Sequence, residues 1–262
     1  MTALERNNVR VRGAGERTMV FAHGFGCDQN MWRHVAPAFE GDFRTVLFDT
    51  VGAGHSDLSA YDPAKYAALD GYADDLIEIL RELGLTGTVF VGHSVSAMVG
   101  VLASLKAPDL FAKLILVGPS PRYIDDGDYV GGFGAAQIEE LLEFLADNPM
   151  GWSQAMAPAI IGNPERPELA EELTASFCRT DPTIARTFAR ATFTADNRAD
   201  LPQVTIPTLI LQCSDDIIAP LEVGRYVHDH IAGSELVVLA ATGHCPNLSA
   251  PAEVTAAIRA YV

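Results

Sequence analysis

Short apolar runs alternate with amphipathic stretches along most of this 262-residue chain. Residues 9–12, 18–22, 45–48, 89–91 and 114–117 have the length and apolar content of successive strands. Between the later ones lies a helical pattern over 71–83, with Tyr72, Leu76, Ile79, Leu80 and Leu83 on one face. After Gly118-Pro119-Ser120 the strand rhythm stops. Ile138, Leu141, Leu142 and Leu145 then fall at i, i+3, i+4 and i+7, which predicts an amphipathic helix. Leu169, Leu173 and Phe177 mark a second helix entered through Pro167. Ile184, Phe188 and Ala191 mark a third, with Asp181 as N-cap and Pro182 in the first turn. Strands resume at 208–212 and 235–239. Alternating strands and helices predict an α/β fold with a mostly parallel central sheet flanked by helices. The expected organisation is a core of residues 1–120 and 201–262, interrupted by a helical lid inserted at 121–200.

The strand exits carry the chemistry. The apolar run Thr88-Val89-Phe90-Val91 leads directly into Gly92-His93-Ser94-Val95-Ser96. This nearly matches G-x-S-x-G, the strand–turn–helix elbow that lifts a serine hydroxyl clear of its own backbone. The last small position is Ser96 instead of glycine. A serine hydroxyl is a weak nucleophile and needs a base, itself oriented by a carboxylate. In this kind of site the chain order is Ser, acid, His, each just beyond a strand. Asp215 and Asp216 both follow the strand at 208–212; Asp216 is preferred because it heads the Asp-Ile-Ile-Ala-Pro segment that leaves the strand. His244, in Thr242-Gly243-His244 after the next strand, is the candidate base. Acyl transfer also needs N–H donors for the developing oxyanion. Val95, next to the nucleophile, supplies one candidate; the other is Phe25 in the His23-Gly24-Phe25-Gly26 loop that follows an early strand. Such a mechanism requires no metal and no organic cofactor, and Ser94 excludes the aspartate nucleophile of dehalogenases.

Charge narrows the partners. A formal net charge of −16 disfavours phosphate backbones and anionic membranes, so neither nucleic acid nor a membrane is expected. The uncharged stretch 88–105 contains His93, three serines and two glycines, and divides into strand, elbow and helix instead of a membrane span. The first residues lack the pattern of a signal peptide, and a cytoplasmic protein is expected. Cys27, Cys178, Cys213 and Cys245 form no metal-like spacing and are expected to be reduced. Cys27 and Cys245 lie beside the candidate site segments, which suggests sensitivity to thiol reagents.

Taken together, Phe25 within His23-Gly24-Phe25-Gly26-Cys27-Asp28-Gln29, the Gly52-Ala53-Gly54 turn, Gly92 to Met98, Ser120-Pro121-Arg122-Tyr123 and Asp128 to Phe133 carry a more specific signal. The chain resembles the α/β-hydrolases of the bacterial RsbQ type and their plant relatives, the karrikin and strigolactone receptors, essentially end to end. The resemblance implies an α/β-hydrolase fold with a V-shaped lid of about four helices over a deep apolar pocket. It assigns the triad to Ser94, Asp216 and His244 and the oxyanion donors to Phe25 and Val95. Matching pocket positions are Phe25, His93, Tyr123, Phe133, Trp152, Met156 and Phe193. Met156 stands where relatives often carry a bulky aromatic, so the relatives' ligands need not fit. The implied function is hydrolysis of a small to medium apolar ester or lactone. The alternative is a slow-turnover signalling protein that docks a protein partner through its lid. A monomer is expected.

Overall fold

The computed structural model describes residues 1–262. Seven strands form one sheet in the order β1-β3-β2-β4-β5-β6-β7. They are β1 (Arg10–Arg12), β2 (Arg17–Ala22), β3 (Phe43–Leu47), β4 (Thr88–His93), β5 (Phe111–Val117), β6 (Thr208–Asp215) and β7 (Glu235–Thr242). Only β1 runs antiparallel, pairing Arg10 with Leu47 and Arg12 with Thr45. The other pairings are parallel. Ten α-helices accompany the sheet: α1 (Ala3–Arg6), α2 (Leu69–Glu82), α3 (Val95–Lys106), α4 (Ala135–Asp147), α5 (Pro149–Ile161), α6 (Pro167–Arg179), α7 (Pro182–Phe193), α8 (Leu221–His230), α9 (Pro246–Ser249) and α10 (Pro251–Tyr261).

Strand side chains alternate between two apolar layers, as a period of two dictates. Phe21, Val89, Val91, Ile115, Val117 and Leu209 enter one layer, with Trp32, Phe39 and Ile258 of α10. Val20, Phe90, Leu114, Leu116 and Ile210 enter the other, with Leu76 and Leu80 of α2 and Val227 of α8. Helix α3 is buried from Val95 to Ser104, which explains why it is apolar on all sides. Both faces of the parallel sheet are therefore covered, so its central strands read as continuous apolar runs.

The departures from the expected elements have physical causes. β6 and β7 each run three residues past the expected 208–212 and 235–239, because backbone pairing continues to Asp215 and Thr242 beyond the run of large apolar side chains. β7 is one of the two edges of the sheet, and its apolar residues Val237 and Val238 are exposed. Helix α5 has no readable helical period, since apolar residues lie all round it and Pro158 sits inside it. Four helices, α4 to α7, separate β5 from β6. Residues 121–134, ahead of them, form an irregular turn closed by bridges between Ile124 and Phe133 and between Asp126 and Tyr129.

Candidate active site

Three loops at the C-terminal ends of β2, β4 and β7 meet a fourth from β6. β4 ends at His93, α3 begins at Val95, and Ser94 between them has φ 56° and ψ −124°. Positive φ is uncommon outside glycine, and such strain persists only where the surroundings impose it. They do: the Ser94 N–H donates to Val117 O at 2.8 Å. A side chain at Gly92 would have its Cβ 2.5 Å from Ser96 O, so only glycine lets strand and helix cross here.

The sharp turn presents the Ser94 hydroxyl to His244. Ser94 Oγ lies 2.7 Å from His244 Nε2, and His244 Nδ1 lies 2.7 Å from Asp216 Oδ2. All three residues are buried. Asp216 Oδ1 accepts the N–H groups of Ile218 at 2.8 Å and Ala219 at 3.1 Å. Burial alone would raise the Asp216 carboxyl, but the His244 imidazole and these two N–H groups hold it below the usual carboxylate range. An ionised Asp216 accepts a hydrogen bond from a protonated Nδ1 of His244, which leaves the Nε2 lone pair facing the serine. Asp215 does not join this arrangement: it is exposed, and its carbonyl accepts the Gly243 N–H at 2.7 Å. His244 is held further by its own N–H, which donates to Ile160 O of α5 at 2.7 Å.

Beside the serine, the N–H groups of Phe25 and Val95 have no hydrogen-bond partner within the protein. Val95 is the first residue of α3, where N–H groups have no intrahelical acceptor and the helix dipole favours negative charge. The loop bearing Phe25 is tied down on both sides. His23 Nε2 accepts the Thr50 N–H at 3.0 Å, so its Nδ1 carries the proton and donates to Gly24 O at 2.9 Å. Ser96 Oγ donates to His23 O at 2.5 Å.

A small cavity of about 30 Å³ opens on Ser94 and His244. Of the seven expected pocket residues it is lined by Phe25, His93, Tyr123, Trp152, Met156 and Phe193. Phe133 is not among the lining residues: its backbone pairs with Tyr123 and Asp125 in the turn before α4, and its half-buried side chain packs on the core. The helical insertion adds Leu141, Ile160, Leu173, Phe177 and Thr192. Most of these residues carry helical periodicity that reads as ordinary core packing, and Ile160 lies in the helix with no readable period. Phe25 makes ring contacts with Trp152, Phe177, Phe188 and Phe193 at centroid separations of 5.5–6.1 Å. A Cβ at Gly26 would collide with the Phe177 ring, so α6 rests directly on this loop. No Arg, Lys, Asp or Glu lines the cavity. Three buried polar atoms of its lining residues, His93 Nδ1, Trp152 Nε1 and Thr192 Oγ1, have no partner within the protein.

His93 belongs to the cavity wall and also to its framework, with Nε2 2.7 Å from His244 O. Burial, reinforced by the adjacent His244, lowers its pKa to about 3. Cys27 and Cys245 line the cavity too, but burial pushes Cys27 up to about 12 and raises Cys245 as well. Both thiols are buried as well as free, and the raised values favour the protonated form over the reactive thiolate.

The family model described as the alpha/beta hydrolase family matches residues 19–258. The chain is 43% identical to a probable esterase of Oryza sativa subsp. japonica, over 94% of this chain and 92% of that protein. It is 40% identical to a strigolactone esterase of Arabidopsis thaliana, covering 98% and 96% of the two chains. Among solved structures, a hydrolase from Oleispira antarctica superposes with a TM-score of 0.97 at 40% identity, over 99% of this chain and 95% of that one. The sheet order, the elbow between β4 and α3 and these likenesses agree, and the chain belongs to the alpha/beta hydrolase family.

Proposed function

We propose that this hydrolase is a serine carboxylic-ester hydrolase acting on small to medium apolar esters or lactones. The observation that carries this reading is the unbroken chain from Asp216 through His244 to Ser94, 2.7 Å at each link, ending beside two unpartnered N–H groups. His244 Nε2 takes the Ser94 proton as Oγ attacks the carbonyl carbon. The carbonyl oxygen becomes an anion held by the Phe25 and Val95 N–H groups. Collapse of the tetrahedral intermediate transfers the proton from His244 to the departing alkoxide and leaves an acyl-serine. Water, deprotonated by His244, repeats the sequence and releases the acid. Asp216 keeps the imidazole in the productive tautomer and stabilises its cation.

The cavity supports the substrate class. Its walls are apolar and uncharged, so a neutral acyl group suits it better than a carboxylate or phosphate. The unpartnered Trp152 Nε1 and Thr192 Oγ1 favour a ligand with an oxygen away from the scissile bond, as a lactone or a second carbonyl provides. On this reading helices α4 to α7 act as the lid, and substrate must part the aromatic contacts around Phe25 to enter. The second reading, a ligand sensor with slow hydrolysis that engages a protein partner through the lid, is favoured by relatives described as karrikin insensitive 2 receptors of Petunia hybrida, 40–42% identical.

Hydrolysis of p-nitrophenyl acetate and butyrate, with intact mass recorded during turnover, tests both readings. Ser94→Ala is expected to lower kcat by about 10⁴-fold or more, as other triad knockouts do. Near-wild-type turnover in that variant would sink the serine mechanism. Sustained wild-type turnover identifies a metabolic esterase. A single burst with a persistent adduct identifies the sensor.

A further inference from the structure

We propose that Ser96, the residue that departs from the G-x-S-x-G pattern, is a positioning residue for the oxyanion loop. This inference rests on the serine-hydrolase reading of the site. Residue 96 lies in the first turn of α3, two positions after the nucleophile, and is 1% exposed. Its hydroxyl donates to the carbonyl of His23, beyond the end of β2, at 2.5 Å. His23 is itself 1% exposed, and its carbonyl has no other partner in the protein. A glycine or alanine at 96 would leave that carbonyl buried and unpaired, a state folded proteins avoid.

The bond matters because of what the next peptide carries. A peptide unit is planar, so the direction of its carbonyl fixes the direction of its N–H. The unit joining Gly24 to Phe25 holds the Phe25 N–H on one side and Gly24 O on the other. Gly24 O is fixed by the His23 Nδ1–H at 2.9 Å and the Cys27 N–H at 3.3 Å. The unit immediately before it is held on both sides, by Ser96 Oγ at His23 O and by Met31 Sδ, which accepts the Gly24 N–H at 3.4 Å. Two consecutive peptide planes are thereby locked, and one lock comes from the helix that bears Val95. Beyond the β2–β4 pairing that ends at Ala22 and Gly92, the Ser96 side chain thus adds a direct bond between α3, which bears Val95, and the loop that bears Phe25. Ser96 touches no reacting atom; its effect passes through Phe25.

A donor aimed at the oxyanion acts when charge develops, not when the apolar substrate binds. Deleting an oxyanion donor costs about 10²–10³ in kcat, so loosening one is expected to cost about 10- to 30-fold. The experiment measures kcat and KM for p-nitrophenyl butyrate in wild type, Ser96→Ala and Ser94→Ala. It also measures inhibition by phenylboronic acid, whose adduct with Ser94 Oγ is tetrahedral and anionic, and by the product p-nitrophenol. The expected result for Ser96→Ala is a kcat lower by about 10- to 30-fold, with KM within about twofold. Boronate inhibition weakens by a similar factor, and p-nitrophenol inhibition does not change. Unchanged kcat and boronate inhibition, even with a lower melting temperature, would overturn the proposal and leave the serine mechanism intact. Full activity in Ser94→Ala would overturn both. Should Ser96→Ala fold poorly, Ser96→Gly, which restores the usual elbow pattern, is measured against the same expectations.

Discussion

The imidazole of His93 donates from Nε2 to the backbone carbonyl of His244 across 2.7 Å, so the residue before Ser94 braces the loop that carries His244. Its other face lies against Gly24, where an added Cβ would stand 2.6 Å from Nδ1. One ring thus spaces the loop of His244 and the loop of Phe25. With a pKa of about 3, it stays neutral and keeps this bond throughout the pH range of an esterase assay. His93→Ala should lower kcat about tenfold and destabilise the fold by about 1–3 kcal/mol, the usual cost of an unpaired buried carbonyl. The pH profile of kcat/KM from about pH 5 to 9 should keep its shape and lose only height. A new inflection in the variant would contradict this role.

Backbone strain at Ser94 predicts a trade between function and stability. The φ of 56° with ψ of −124° suits glycine better than any residue with a side chain. Such conformations cost about 1–3 kcal/mol, against about 0.5–1 kcal/mol of extra chain entropy lost when glycine is ordered. Ser94→Gly should therefore be about 1 kcal/mol more stable than Ser94→Ala, since both lack the hydroxyl and only glycine relieves the strain. Urea denaturation of the two variants measures the difference. Equal stability would mean that the elbow stores no strain.

Asp216 makes stability depend on acid in a defined direction. Its carboxyl is held below the ordinary value in the folded state, so as pH falls the unfolded chain binds the proton first. The resulting stabilisation is full above the unfolded value of about 3.9 and disappears as pH falls through the lower native one. Asp216→Asn should lack this contribution. The stability gap between wild type and variant should be widest at neutral pH and shrink below about pH 4. Denaturation curves from about pH 3 to 7 report it, and a gap that widens in acid would reverse the assignment.

Thiol accessibility provides a fourth check. Of the four cysteines only Cys178, on the outer face of α6, is exposed. Burial raises Cys213 as it does Cys27 and Cys245. A chromogenic disulfide reagent should titrate one thiol in the native protein and four after denaturation. Rapid native reaction of two or more would show that the cavity opens readily to reagents.

What could be read from the chain followed its local rules. Strand ends, elbow and loop glycines are short-range features, so the order Ser94, Asp216, His244 is visible locally, with Asp216 set apart from Asp215 by the segment it heads, and the fold brings these three side chains within hydrogen-bond distance. The sheet's alternating layers likewise follow from period-two packing. Three features required the folded chain. Helix α5 was hidden because a segment buried on several sides, with Pro158 inside it, has no polar face to mark the helical period. Phe133 could not be separated from cavity aromatics by type alone; the bridge from Ile124 directs it elsewhere. The bonds of His93 and Ser96 join residues 151 and 73 positions apart, and nothing local in sequence encodes such pairings.

The junction between α5 and the loop of His244 has a consequence for engineering. The His244 N–H is bonded to Ile160 O, Asn163 Nδ2 reaches Thr242 O at 3.1 Å, and an added Cβ at Gly162 would stand 3.0 Å from the Gly243 Cα. Gly243 leaves no room for a side chain against Ile161 O. The helical insertion is therefore not an interchangeable cassette. A chimera that imports another relative's residues 135–193 but keeps the native 242–244 would pair mismatched halves of one joint. Recombination points should be chosen so that 160–163 and 242–244 travel together.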